Sequence, residues 1–195
     1  ELDMEFLHEG VPKKKLIAEW KSPQENEISE NATEKPVQTL KEILAMSNIA
    51  SKEKTVRRYD HEVQGGVVGK PFVGEQNDGP ADAAIVRPLL DDWQGVVISN
   101  GINPLYSDID AYAMACSVVD EAIRNAVCVG VDYRRIALLD NFSWANPEKQ
   151  KVLGELVRAC MGCCDCAKGF GRLFISGKDS LYNEYNTGTE TISIP

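Results

Sequence analysis

The sequence predicts a mixed α/β (α+β) fold, a two-layer sandwich in which a mixed sheet of about four strands carries helices on one face. Three observations predict it. Short runs rich in β-branched residues recur at Ala83–Pro88, Gly95–Ser99, Arg135–Asn141 and Arg172–Ser176. Two long stretches with three- and four-residue apolar spacing lie between and after them, near 108–129 and 146–169. The resulting order, β-β-α-β-α-β, ends with a further extended phrase, SLYNEY.

Residues 1–36 are charged, carry Pro12, Pro23 and Pro36, and include the polar stretch SPQENEISENATEK. They read as a linker or the remnant of a preceding domain, and residues 37–195 as the folded domain. Asn31-Ala32-Thr33 has the form of a glycosylation sequon, with no secretion signal to give it meaning. A first helical pattern starts at Val37 and continues through Leu40, Ile43 and Leu44. Tyr59 to Gly79 is glycine-rich and reads as loop with short extended pieces.

The two β-rich runs at 83–88 and 95–99 are expected to be neighbours, joined by the LLDDWQ turn. Asp108 is the expected cap of the next helix. Its stripe is Ala111, Ala115, Val118, Val119, Ala122 and Ile123, and Gly130 is placed to end it. After the RIALLDN strand, Asn146-Pro147 is the expected start of the second helix, with asparagine as cap and proline in the first turn. The stripe there is Val152, Leu153, Leu156, Val157 and Cys160, ended by Gly169 and Gly171. The chain reads as cut at both ends.

Composition excludes some functions. The chain has 195 residues, 43% hydrophobic, with a formal net charge of −9. That acidity argues against a nucleic-acid surface. No apolar run is long enough to span a membrane, and ELDMEFLHEG lacks the features of a signal peptide, so the expected compartment is cytoplasmic. Four of the six cysteines crowd into residues 160–166. Four thiols on one helix cannot surround a tetrahedral zinc, so they are read as small buried hydrophobes. Gly69-Lys70 and Gly177-Lys178 both fail the Walker pattern, since Pro71 and Asp179 follow the lysines. His61, between Asp60 and Glu62, is read as structural or surface, with an acid–base role as the alternative.

Polar residues gather at strand ends: Asp140 and Asn141 after one strand, and Ser176 to Ser180 and Asn183 after another. Ligands of open α/β sheets bind at such ends. Carboxylates at Asp140 and Asp179, with Lys178 and Ser180, would suit a nucleotide with Mg²⁺, and ordinary turn chemistry is the competing reading.

The phrases RRYDHEVQGG, DAAIVRP, DAYAMACSVVDEAIRNAVCVG, LLDNFSWANPEK, LVRACMGCCDCAKGFG and ISGKDSLYNEY occur in that order over residues 40–195. Together they resemble the second half of the synthetase subunit of the phosphoribosylformylglycinamidine synthase family, within the AIR-synthase-like superfamily. The resemblance implies an AIR synthase N-terminal-type domain able to pair into a barrel. It also implies a ligase reaction: ATP-dependent amidation of formylglycinamide ribonucleotide with glutamine-derived ammonia, in purine synthesis. It implies ATP contacts at Asp140 and Gly177 and a substrate contact at Ser180, with ATP and Mg²⁺ as cofactors. Lys178 stands where many members have a magnesium-binding asparagine, leaving Asp179 as the possible metal ligand. The histidine phrase that carries the family's catalysis has no counterpart, so no catalytic residue is assigned and the isolated piece is expected to be inactive. Expected partners are the remainder of the synthetase chain, a glutaminase subunit or domain, and a second copy in a homodimer. The alternatives are another ATP-dependent enzyme of the superfamily and a non-catalytic interaction module of the same fold.

Overall fold

The computed structural model describes residues 2–10, 13–21 and 35–193. The sequon and the polar stretch over 22–34 lie outside the described residues. In chain order the elements are α1 (Met4–Glu9), α2 (Pro36–Ala45), α3 (Glu53–Val56), β1 (Val67–Gly69), β2 (Phe72–Val73), β3 (Gly79–Pro80), β4 (Ala84–Val86) and β5 (Val96–Ile98). They continue with α4 (Ala111–Cys128), β6 (Leu138–Ser143), α5 (Gln150–Phe170), β7 (Phe174–Ser180), β8 (Glu184–Asn186) and β9 (Thr191–Ser193). The class is mixed α/β, and every element expected between residues 81 and 180 is present.

The chain divides into two units. One comprises Glu1–Pro23, Ile102–Asp120 and Ala137–Pro195; the other Gln24–Gly101 and Glu121–Ile136. The boundary falls within α4.

The second unit holds the antiparallel sheet β1-β4-β5 and the small β2-β3 pair. The expected neighbours are confirmed in register, Ala84 opposite Ile98, Ile85 opposite Val97 and Val86 opposite Val96. In the turn between them, the Arg87 guanidinium lies 4.9 Å from the centroid of the Trp93 ring, a cation–π contact. The glycine-rich segment contributes β1 to β3, the short extended pieces its composition allowed. Its tight turn puts Gln64 at φ 64 and Gly65 at φ 67, where glycine is at ease and glutamine is not.

The first unit holds the parallel pair β6-β7, the helix α5 that crosses between them, the first turns of α4, and the β8-β9 hairpin. Among the described residues four small sheets, one of three strands and three of two, thus take the place of the single sheet expected. The boundaries also moved. Asp108 ends a 3-10 turn, and Asp110 is the residue that caps α4, accepting from the Ala113 N–H at 2.7 Å. Asn146 caps a separate turn through the Glu148 N–H at 2.9 Å, and α5 begins at Gln150 with no side-chain cap. Gly171 ends α5 in the left-handed region at φ 63, as its position predicted.

The core of this unit is built from small residues. Ala111, Ala115 and Ala159 are buried, with Met114, Phe142, Trp144 and Cys163 packed around them. On α5 the buried positions are Gly154, Ala159, Gly162 and Ala167 rather than the expected stripe of large residues. The reason is close approach. A Cβ on Gly162 would lie 2.5 Å from the Tyr112 carbonyl oxygen, and one on Gly154 2.1 Å from that of Glu19. The second contact belongs to the extended stretch 13–21, whose Glu19 N–H donates to Gln150 O at 3.0 Å. Part of the segment read as linker or domain remnant therefore packs on α5. The cysteines differ from expectation as well: Cys128, Cys160 and Cys164 are exposed, Cys116, Cys163 and Cys166 half-buried, and none is fully buried. The deep positions of α5 go to alanine and glycine, leaving its thiols at the margin.

Candidate functional site

Asp140, Asn141 and the residues from Ser176 to Ser180 lie on the β6-β7 pair, whose register sorts them, and Asn183 follows in the next turn. Asp140 is opposite Gly177, Asn141 opposite Lys178, Phe142 opposite Asp179 and Ser143 opposite Ser180. The motif SGKDS is therefore strand, where the sequence suggested a turn after it. Side chains alternate between faces along a strand. Phe142 packs into the helix-facing core, so Asp140, Gly177 and Asp179 form an inner row on that face. Asn141, Ser143, Lys178 and Ser180 form an outer row on the other. Residues expected in one cluster are thus split between two faces.

In the inner row, Asp140 leans over Gly177. A Cβ added there would meet Asp140 Oδ1 at 2.3 Å and Oδ2 at 2.7 Å. The carboxylate occupies the space that any other residue at 177 would fill. Asp140 and Asp179 face the thiols of α5, where burial first, then these carboxylates, pushes the Cys160 thiol up.

In the outer row, the Lys178 ammonium donates to Ser180 Oγ. Asn183 Nδ2 donates to Ser143 Oγ at 2.5 Å and to Ser180 O at 3.3 Å, tying the ends of both strands together. The Trp144 N–H donates to Ser180 O at 2.8 Å. Tyr182, at φ 62, turns the chain sharply so that Asn183 can reach back. Sequence reasoning offered no role for Ser143 or Trp144, because only the parallel register brings them beside Ser180.

Beyond the strand ends, Glu184 accepts from Lys149 Nζ at 2.7 Å and from the Asn146 N–H at 3.1 Å. These bonds hold its carboxyl below the usual range. A depressed carboxyl stabilises the fold above its unfolded value of 4.5 and loses that contribution as pH falls through the folded value. Glu184→Gln is accordingly expected to lower the thermal midpoint at neutral pH. The gap from wild type should close as the medium is acidified below pH 4.5, followed by circular dichroism melts across pH.

Among the described residues, no group of three or more His, Cys, Asp or Glu side chains is placed to hold a metal ion. Burial, followed by neighbouring thiols, carries Cys163 to about 11. Burial and a hydrogen bond with Cys116 carry Cys166 to about 12. Both stay protonated at neutral pH. Mass spectrometry of chain treated briefly with iodoacetamide is expected to show the exposed Cys128 and Cys164 alkylated before Cys163 and Cys166. His61 Nδ1 lies 3.1 Å from Tyr59 O, and His61 is on neither β6 nor β7.

The family described as "AIR synthase related protein, N-terminal domain" matches residues 80–194, which include both rows. The chain belongs to this family. Among AIR-synthase-related relatives, the phosphoribosylformylglycinamidine synthase subunit PurL of Thermococcus sibiricus is 38% identical over 159 residues, 77% of this chain and 21% of the relative. The subunit of the same name from Deinococcus radiodurans is 35% identical over 155 residues, 80% of this chain and 19% of the relative. The chain thus spans about a fifth of the length of the curated relatives it matches. In solved structures, the chain is similar to one in "Structure of PurLQS from Thermotoga maritima". The TM-score is 0.60 at 19% identity, over 93% of this chain and 26% of that one. That likeness shows the AIR-synthase-type fold. No helix among the described residues is long and apolar enough to cross a membrane.

Proposed function

We propose that this chain is the second AIR-synthase-like N-terminal-type domain of a phosphoribosylformylglycinamidine synthase. It would contribute one wall of the site in which ATP drives amidation of formylglycinamide ribonucleotide. The observation that carries the reading is the register pairing of Asp140 with Gly177, the two positions assigned to ATP, with the Asp140 carboxylate seated over the bare Gly177 backbone. The relatives' shared name supports the reaction class.

When bound, ATP supplies an activated phosphoryl group that turns an amide oxygen into a leaving group. This chain's own share is binding and orientation. The inner-row carboxylate accepts hydrogen bonds from nucleotide hydroxyl or amino groups. Ser180, braced by Asn183 and Trp144, presents a hydroxyl to the ribonucleotide. Magnesium bound with nucleotide phosphates needs only one or two protein carboxylates. Asp140 and Asp179, both on the inner row, are the carboxylates this strand pair could offer. Ammonia would come from a glutaminase partner, and the acid–base groups from the remainder of the synthetase. The isolated piece would then be inactive, in a cytoplasmic setting.

At the start of the pair Leu139, opposite Ser176, is 67% exposed, and Ile175, at the register shift, is 68% exposed. Such a surface favours a second copy, closing a barrel by pairing like with like. Light scattering coupled to size-exclusion chromatography is expected to give a dimer mass at micromolar concentration. A stable monomer would remove this part of the reading.

The reaction itself is tested in a protein that carries this chain together with the remaining segments seen in the relatives. Asp140→Ala there is expected to cut ATP-dependent amidation by about tenfold or more, the scale of one lost charge-assisted hydrogen bond. Full activity in a folded Asp140→Ala protein would sink the assignment.

A further inference from the structure

We infer that the outer row of the β6-β7 pair is a phosphate-anion site that works without a divalent metal, the Lys178 ammonium supplying the charge. The inference rests on the family reading only in placing this row at a ligand site. Its chemistry is set by the side chains present.

The strand register separates the charges. Both carboxylates of the pair, Asp140 and Asp179, belong to the inner row, opposite Gly177 and Phe142. The outer row carries Lys178, Ser143 and Ser180, with Asn141 opposite Lys178 and Asn183 reaching in from the following turn. The next carboxylates along the chain are each engaged by a lysine, Glu184 by Lys149 and Glu148 by Lys14. A magnesium ion requires oxygen ligands in near-octahedral geometry and usually a carboxylate. An ammonium has three donors and no lone pair, and it repels the ion. Magnesium therefore does not fit the row at the position where the resemblance implies a metal-binding asparagine.

A tetrahedral oxyanion does fit. Lys178 is an exposed point charge with two N–H donors left after its bond to Ser180 Oγ. That bond fills an acceptor position on the serine and leaves the serine O–H to donate outward. Asn183 fixes both serines on the ends of their strands, so the donors converge from two neighbouring strands with little ordering left to do. The chain's net charge of −9 weakens any general attraction for anions, so saturable phosphate binding would be local to this row.

The probe is inorganic phosphate, titrated into the ¹⁵N-labelled chain in EDTA and followed through the amide shifts of Lys178 to Ser180. Expected are saturable shifts that are the same when Mg²⁺ replaces EDTA. In Lys178→Met they should weaken by about tenfold or more, as loss of a charge-assisted contact would require. Lys178→Asn, neutral and able to ligate a metal, should lose the response in EDTA as well. Shifts that appear only with Mg²⁺, shifts unchanged in a folded Lys178→Met chain, or no saturable shifts in the folded wild type would each overturn the proposal. Asp140→Ala, on the opposite row, separates it from the nucleotide reading. If ATP binding ignores that substitution while the phosphate response still needs Lys178, the nucleotide reading falls alone. If ATP binding depends on Asp140 and phosphate gives no response, only the present inference falls.

Discussion

Arg158→Ala is expected to lower the stability of the α4-α5 unit by about 3–5 kcal/mol, the usual penalty for stranding one member of a buried ion pair. Arg158 Nη2 donates to Asp110 Oδ2, with side-chain exposures of 17% and 8%. The guanidinium also lies 5.7 Å from the centroid of the Tyr112 ring. Asp110 is engaged twice, because its other oxygen caps α4 through the Ala113 N–H. The two roles can be separated. Asp110→Asn keeps a competent cap and loses the charge, whereas Asp110→Ala loses both and should cost about 1 kcal/mol more. Urea unfolding of the three variants measures these differences. Equal midpoints for wild type and Arg158→Ala would mean that the pair contributes nothing net.

Gly162→Val should be the next most damaging change, at about 1–3 kcal/mol from overpacking. Its Cβ would lie 2.5 Å from the Tyr112 carbonyl oxygen and 3.0 Å from Ala115 Cβ. The first obstacle is helix backbone and cannot swing aside, so the helices must separate and loosen the Ala111, Ala115 and Ala159 contacts. Gly162→Ala makes the sharper test. In open space, alanine would stabilise a helix interior by up to about 1 kcal/mol relative to glycine. Here it should destabilise instead, and a raised urea midpoint would show that α4 and α5 are not in contact at this point.

Both changes bear on what was legible in the sequence. The β-branched runs, the apolar stripe of α4 and the stop at Gly171 follow from local patterns, and the structure has an element at each. The sequence places the start of α5 at Asn146-Pro147, a good cap for any turn, and the turn it closes is a separate one before Gln150. The leucine and valine pattern of α5 predicts a different buried face, because it says nothing of how near α4 comes. Glycine and alanine set that distance. Asp140, Gly177, Lys178 and Ser180 were reachable through motif resemblance. Their division between two faces was not, since it depends on SGKDS continuing as strand in parallel register with LLDNFS, with a shift between Leu138 and Leu139. Asp110–Arg158 was invisible for a similar reason: the partners lie 48 positions apart.

The most direct test of the central claim is calorimetric titration of ATP with Mg²⁺ into the folded chain, beside Asp140→Ala and Gly177→Ala. The structure makes these two substitutions equivalent in effect, one deleting the carboxylate and the other displacing it from over residue 177. Saturable binding by wild type, weakened by about tenfold or more in both variants, is the predicted result. Binding of equal strength in all three proteins would contradict the assignment of Asp140 and Gly177 to the nucleotide.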